Sequence, residues 1–147
     1  MPTAFHEPVF WVFALFAVPI SIVDFQCKRI PDVLSLPCLC LVLILRIGGE
    51  AGALPNFLAA AFFGGLLFGA IRALSRGMGL GLGDVKYAVL LGLVCGFPGI
   101  LSCLFVAAVL GLAAAPFIIR GKADASIPFA PFLSAAGFLT CLLFPGF

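Results

Sequence analysis

Apolar positions run in long blocks along this chain, broken by short polar or glycine-rich stretches. The blocks cover roughly Pro8–Val23, Val33–Leu45, Phe57–Leu74, Val85–Phe97, Ile100–Ile119 and Ile127–Phe144. None shows the polar face of an amphipathic helix in water, so each reads as a helix solvated by apolar material on all sides. A membrane-crossing helix needs about 20 apolar residues, so several blocks must extend into their flanks. The pattern predicts an all-α, polytopic membrane protein of about six transmembrane helices. It forms a single membrane-embedded domain over residues 1–147, with the lipid bilayer as its first partner.

Composition agrees. Apolar residues make up 64% of the 147 positions and charged residues 10%, against about 25% charge in a typical soluble domain. Too few polar groups exist to cover a globule in water, and no basic patch suggests a nucleic-acid partner. The first block lacks the basic n-region of a signal peptide, because no Lys or Arg precedes Lys28, and it reads as a retained span. The six cysteines, Cys27, Cys38, Cys40, Cys95, Cys103 and Cys141, include no C-x-x-C pair and lie mostly in apolar runs. They read as small hydrophobes, and with His6 the one histidine, no metal or cofactor site is expected.

The basic residues set an orientation. Lys28 and Arg29, then Arg72, Arg76 and Lys86, then Arg120 and Lys122 cluster at three alternate breaks, leaving Arg46 alone on the other side. Seven against one predicts that those three breaks face the cytoplasm. Both termini then lie outside, which agrees with an even number of crossings. Gly65–Gly69 and Gly92–Gly96 have the G-x-x-x-G spacing of closely approaching helices, read here as packing within the chain.

Two acids stand out, because charge at membrane depth is costly and marks function. Asp24 ends the first block, and Asp84 opens the fourth within Gly79-Leu80-Gly81-Leu82-Gly83-Asp84-Val85-Lys86. Both are expected at the cytoplasmic ends of their helices. From Asp84 to Phe97 a helix rises only about 20 Å, less than the roughly 30 Å hydrocarbon core. Either the bilayer thins there or Asp84 sits below the interface, with Gly77–Gly83 dipping inward as irregular backbone beside a wet pocket. Two carboxyls in one such pocket share a proton, as acid–base pairs do. Alternatively the acids are interfacial and pair with nearby cations, Lys28 being four residues from Asp24. Lys86 is expected to reach toward headgroups or to line a substrate entrance.

The segments around these acids resemble a known family. Asp24-Phe-Gln-Cys-Lys-Arg-Ile-Pro31-Asp32 is similar to the first motif of type IV prepilin peptidases. Gly81-Leu-Gly83-Asp84-Val-Lys86 is similar to their second, the G-x-G-D motif also found in presenilin-type proteases. Ile127-Pro128-Phe129-Ala130-Pro131-Phe132 resembles the opening of their last helix. The resemblance implies a six-helix fold, catalysis by Asp24 and Asp84, and a site shaped by Gly81, Gly83 and Lys86. It also implies prepilin or pseudopilin precursors as substrates, cut at the cytoplasmic face of a prokaryotic inner membrane. Without the paired C-x-x-C motifs of the bifunctional members, the chain resembles the short, peptidase-only branch, and no methyltransferase activity is expected. The inventory excludes a zinc protease, for want of H-E-x-x-H, and a serine protease of the rhomboid type. A small transporter or channel subunit relaying ions or protons through Asp24 and Asp84 is the rival reading, although no repeat relates the two halves.

Overall fold

The computed structural model describes residues 8–27, 30, 32–49, 52–76, 81–118 and 129–143. Five helices account for nearly all of them: α1 (Pro8–Cys27), α2 (Asp32–Gly49), α3 (Leu54–Leu74), α4 (Leu82–Ile118) and α5 (Ala130–Leu143). Among the described residues there is no strand. His6, Lys28, Arg29, Pro31, Gly77–Leu80, Arg120, Lys122 and the Ile127-Pro128 pair lie outside the described residues.

The helices α1, α2 and α3, together with the Leu82–Ala114 stretch of α4, are long and apolar enough to cross a membrane. Their outward faces carry large apolar side chains such as Leu15, Phe62, Phe105 and Leu112, each more than 70% exposed. Such a surface suits lipid, where no polar coat is required.

The apolar blocks expected over residues 85–97 and 100–119 correspond to two helical arms of α4 that meet at a sharp break. Gly96 (φ 62°, ψ −173°) and Phe97 (φ −92°, ψ 140°) leave helical geometry, and the helix resumes beyond them. Only glycine takes that positive φ without cost. Breaking the helix frees backbone groups, and two side chains take them up. Arg46 of α2 donates to the carbonyls of Leu93 (3.2 Å) and Val94 (2.8 Å). Asn56 of α3 accepts from the Phe97 N–H at 3.2 Å and donates to its carbonyl at 3.0 Å. The Arg46 guanidinium also stacks 3.7 Å from the centre of the Phe57 ring. A charge that the sequence suggests is an outer-loop cation is 95% buried, and it holds the end of the first arm of α4, just before the break.

Small residues bring α3 against α4. A Cβ on Gly64 would lie 2.8 Å from the Ala88 carbonyl oxygen, and one on Gly92 would run into the backbone of Ala61. Gly65 and Gly96 are likewise in contact, with Val89 and Phe57. Gly69 is not: a Cβ there would meet nothing within 4 Å. The packed seam therefore uses Gly64 and Gly65, while the second glycine of the G-x-x-x-G spacing stands free. Helix α5 packs on α4 and α1, and α2 lies against both α1 and α4.

Candidate functional site

Four chain segments meet at one end of the bundle. Asp24 lies one turn from the end of α1, Asp32 opens α2, Asp84 is in the first turn of α4, and Ala130 opens α5. Helices α2, α4 and α5 thus present their N-termini where α1 presents its C-terminus. Helix N-termini carry free N–H groups and a partial positive charge, which suits carboxylates.

Asp24 is 96% buried, and its Oδ2 accepts the backbone N–H of Ala130 at 3.0 Å. That bond spans 106 positions of sequence and fastens the start of α5 to the end of α1. Asp84 is half-buried, and its Oδ2 accepts the Gly81 N–H at 2.9 Å. Each candidate acid is therefore held by one main-chain donor at a helix start. Both acids lie at the same end of the bundle, Asp24 in the last turn of α1 and Asp84 in the first turn of α4.

The supporting residues differ from the sequence reading. Gly83 is inside helix α4, so the expected inward dip of irregular backbone does not include it. Its lack of a side chain serves close packing instead: a Cβ there would lie 2.7 Å from the Cβ of Ile30, which is buried between α1 and α2. Gly81 precedes the helix, and a Cβ on it would sit 3.3 Å from Asp84 Oδ2. Lys86, expected to reach toward headgroups or to line a substrate entrance, has a protein partner. Its Nζ pairs with Asp32 Oδ1 at 2.7 Å, tying the start of α2 to that of α4. Side chains two residues apart on a helix diverge, which turns Lys86 away from Asp84 and toward the neighbouring helix.

One turn deeper lies a second polar layer. Tyr87 is fully buried, and its hydroxyl is 2.7 Å from Ser134 Oγ. Ser134 is 2.8 Å from Ser21 Oγ, which bonds the Ala17 carbonyl at 2.7 Å. A hydroxyl has one proton, so one order gives every proton an acceptor: Tyr87 to Ser134, Ser134 to Ser21, Ser21 to Ala17. Ser21, Tyr87 and Ser134 stand one helical turn from Asp24, Asp84 and Ala130 respectively, so α1, α4 and α5 are joined at two levels. The signal for this layer was present in the sequence as isolated hydroxyls in apolar helices, which face the bundle interior by default. Ser21 also helps to line an open recess of about 290 Å³ on the outer side of α1, with Ile22, Phe25 and Gln26.

Two carboxyls at one end of a bundle, one buried and one half-open, are groups of the kind that can divide the roles of general base and general acid. Comparison with known proteins bears on which chemistry is meant. Leader peptidase HopD of Salmonella typhimurium is 32% identical over 141 residues, covering 90% of this chain and 91% of that protein. A prepilin leader peptidase/N-methyltransferase of Burkholderia pseudomallei is 33% identical over 127 residues, which cover 82% of this chain and 41% of that protein. One of the same name from Pseudomonas putida is 29% identical over 130 residues, covering 84% and 45%. The chain thus spans just under half the length of these bifunctional relatives. No solved structure matches it. Residues 11–116, which include Asp24, Asp84 and most of the helices that carry them, match the type IV leader peptidase family, and the chain belongs to that family.

Proposed function

We propose that the protein is a membrane aspartic endopeptidase that removes the short leader of type IV prepilin-like precursors, with Asp24 and Asp84 as its catalytic pair. The observation that carries the reading is the meeting of two acids, 60 positions apart in sequence, at one end of an otherwise apolar bundle. Each is held by a main-chain N–H. Family membership and the names of the relatives supply the substrate class.

In this reading one carboxylate takes a proton from water as the water oxygen attacks the scissile carbonyl carbon. The other, protonated, donates to the carbonyl oxygen. The tetrahedral intermediate then collapses, the C–N bond breaks, and the nitrogen leaves with a proton returned from the pair. Gly81 and Gly83 shape the approach to Asp84. Lys86 holds α2 and α4 together beside it.

We place the chain in the inner membrane of a prokaryote, crossing about six times, the two arms of α4 counting separately. The termini are outside and the acid pair is at the cytoplasmic face, as the excess of basic residues in three breaks supports. A precursor that has not yet crossed is met on that side.

The test is co-expression with a pilin-like precursor, read as a gel shift. Asp24→Asn and Asp84→Asn should each abolish cleavage at normal expression. Full cleavage by either variant would refute the pair.

A further inference from the structure

Ser35 is the one buried side-chain polar atom among the described residues that lacks a hydrogen-bond partner. It is only 2% exposed. Buried hydroxyls almost always find a partner, and one left without is unfavourable enough to need a reason. The contrast within this bundle is sharp, because Ser21, Ser134 and Tyr87 satisfy one another completely.

Its position follows from helix geometry. Helix α2 and the first arm of α4 start at the same end and run the same way, tied at the start by Asp32–Lys86 and near the end of that arm by Arg46. At about 1.5 Å per residue, Arg46 lies about 21 Å along α2 and Val94 about 18 Å along α4, so the two helices begin at one level. On that scale Ser35 is about 4.5 Å in, between Gly83 at about 1.5 Å and Tyr87 at about 7.5 Å, beside the turn that carries Asp84. Cys38, the next buried residue of α2, falls about 9 Å along its helix, close to the level of Tyr87. Asp24, three residues from the end of α1, is at matching depth. The buried stripe Ser35, Cys38, Val42 and Arg46 belongs to a helix that packs on α1 and α4, the helices that carry the two acids.

We infer that Ser35 is a substrate-contacting residue of this site, its hydroxyl held ready to hydrogen-bond a backbone peptide group of the precursor lying across Asp24 and Asp84. A cleavable segment must be extended to expose its scissile bond, and its peptide groups then need partners inside an apolar bundle. The two carboxyls are occupied with chemistry. Ser35 supplies the donor and acceptor that no side chain of the free protein uses. The inference rests on the leader-peptidase reading above.

The sign of its effects makes it testable. Ser35→Ala removes a group without a partner in the free protein, so the melting temperature of the detergent-solubilised enzyme should hold or rise. KM for the precursor should rise about 3- to 10-fold with kcat nearly unchanged, the mark of a lost binding contact. Ser35→Cys, close in size with a weaker donor, should fall between. A wild-type KM for Ser35→Ala, or a lowered melting temperature, would overturn the inference. So would a fall in kcat with KM unmoved, which would assign the hydroxyl to the reacting water. Asp24→Asn and Asp84→Asn run alongside separate the two levels. If they are inactive and Ser35→Ala is wild-type, only Ser35 is wrong; if they cleave, the acid pair itself fails.

Discussion

Alanine at Gly83 is the substitution whose effect the geometry defines best. The added Cβ would fall 2.7 Å from the Cβ of Ile30, 3.3 Å from its Cγ1 and 3.4 Å from its Cα. Carbon atoms rest about 3.5–4.0 Å apart, so the helix start or the α1–α2 connection must yield by up to about 1 Å. Ile30 cannot step aside by rotating, since its Cα and Cβ are themselves in the way. Overpacking of this kind costs about 1–3 kcal/mol. Its structural consequence falls next to Asp84, where a misplacement of about 1 Å can cost about 100-fold in rate. The expected result is a 10- to 100-fold loss of precursor cleavage, measured by gel shift and normalised to folded protein in the membrane. Gly69→Ala is the control. It meets open space and should cleave normally, with stability raised by up to about 1 kcal/mol because alanine suits a helix interior better. Ile30→Gly removes two of the three clashing atoms, so the double variant should recover part of the loss. Wild-type cleavage by Gly83→Ala, or a double variant no better than the product of its parents, would refute the packing argument.

Other expectations are shorter to state. Arg46→Met leaves the Leu93 and Val94 carbonyls without this donor and should cost about 2–4 kcal/mol, seen as a lower melting temperature; activity per folded molecule should stay near normal, since Arg46 is at the far end from Asp84. Arg46→Lys should restore little, because a point charge cannot both stack and fork. Asp32→Asn should cost less than about 1 kcal/mol, and raising the salt concentration should shrink even that, as both partners of the Lys86 pair are partly exposed. Cleavage should survive EDTA, because the proposed chemistry uses only carboxyls; loss of activity restored by zinc would count against it.

How legible was this in the sequence? Hydropathy and the cost of membrane charge were enough to single out Asp24 and Asp84 and to mark the apolar helices. Both signals are local, a run of residues or a single misfit within it. The partners were not legible, because each contact joins distant segments. Asp24 receives its bond from Ala130, a residue with no polar side chain to announce it. Lys86 finds Asp32 across 54 positions, where spacing on its own helix could say only that it would miss Asp84. Gly83 was assigned conformational freedom, whereas the structure uses its missing side chain as room for Ile30. Both explanations fit a glycine, and only the packing of the α1–α2 connection decides between them.

The hydroxyl layer accounts for how an apolar bundle can keep two acids in register. Apolar packing between helices in lipid is weakly directional, since a lipid tail suits a leucine as well as another helix does. Hydrogen bonds in such surroundings are directional, and unmade ones are unfavourable. If the Tyr87–Ser134–Ser21 chain holds α5 at the depth where Ala130 meets Asp24, cutting it should be felt one turn above. Ser134→Ala removes the central hydroxyl, strands that of Tyr87 and releases Ser21 from α5. It should destabilise the protein by about 1–3 kcal/mol and slow cleavage per folded molecule by several-fold. Tyr87→Phe removes a terminal donor and leaves Ser134 bonded to Ser21, so its effects should be smaller on both counts. The order of the two variants is the test. If Tyr87→Phe proves the more harmful to cleavage at equal folding, the phenol acts on the acids directly, and the layer is not a device for holding α5.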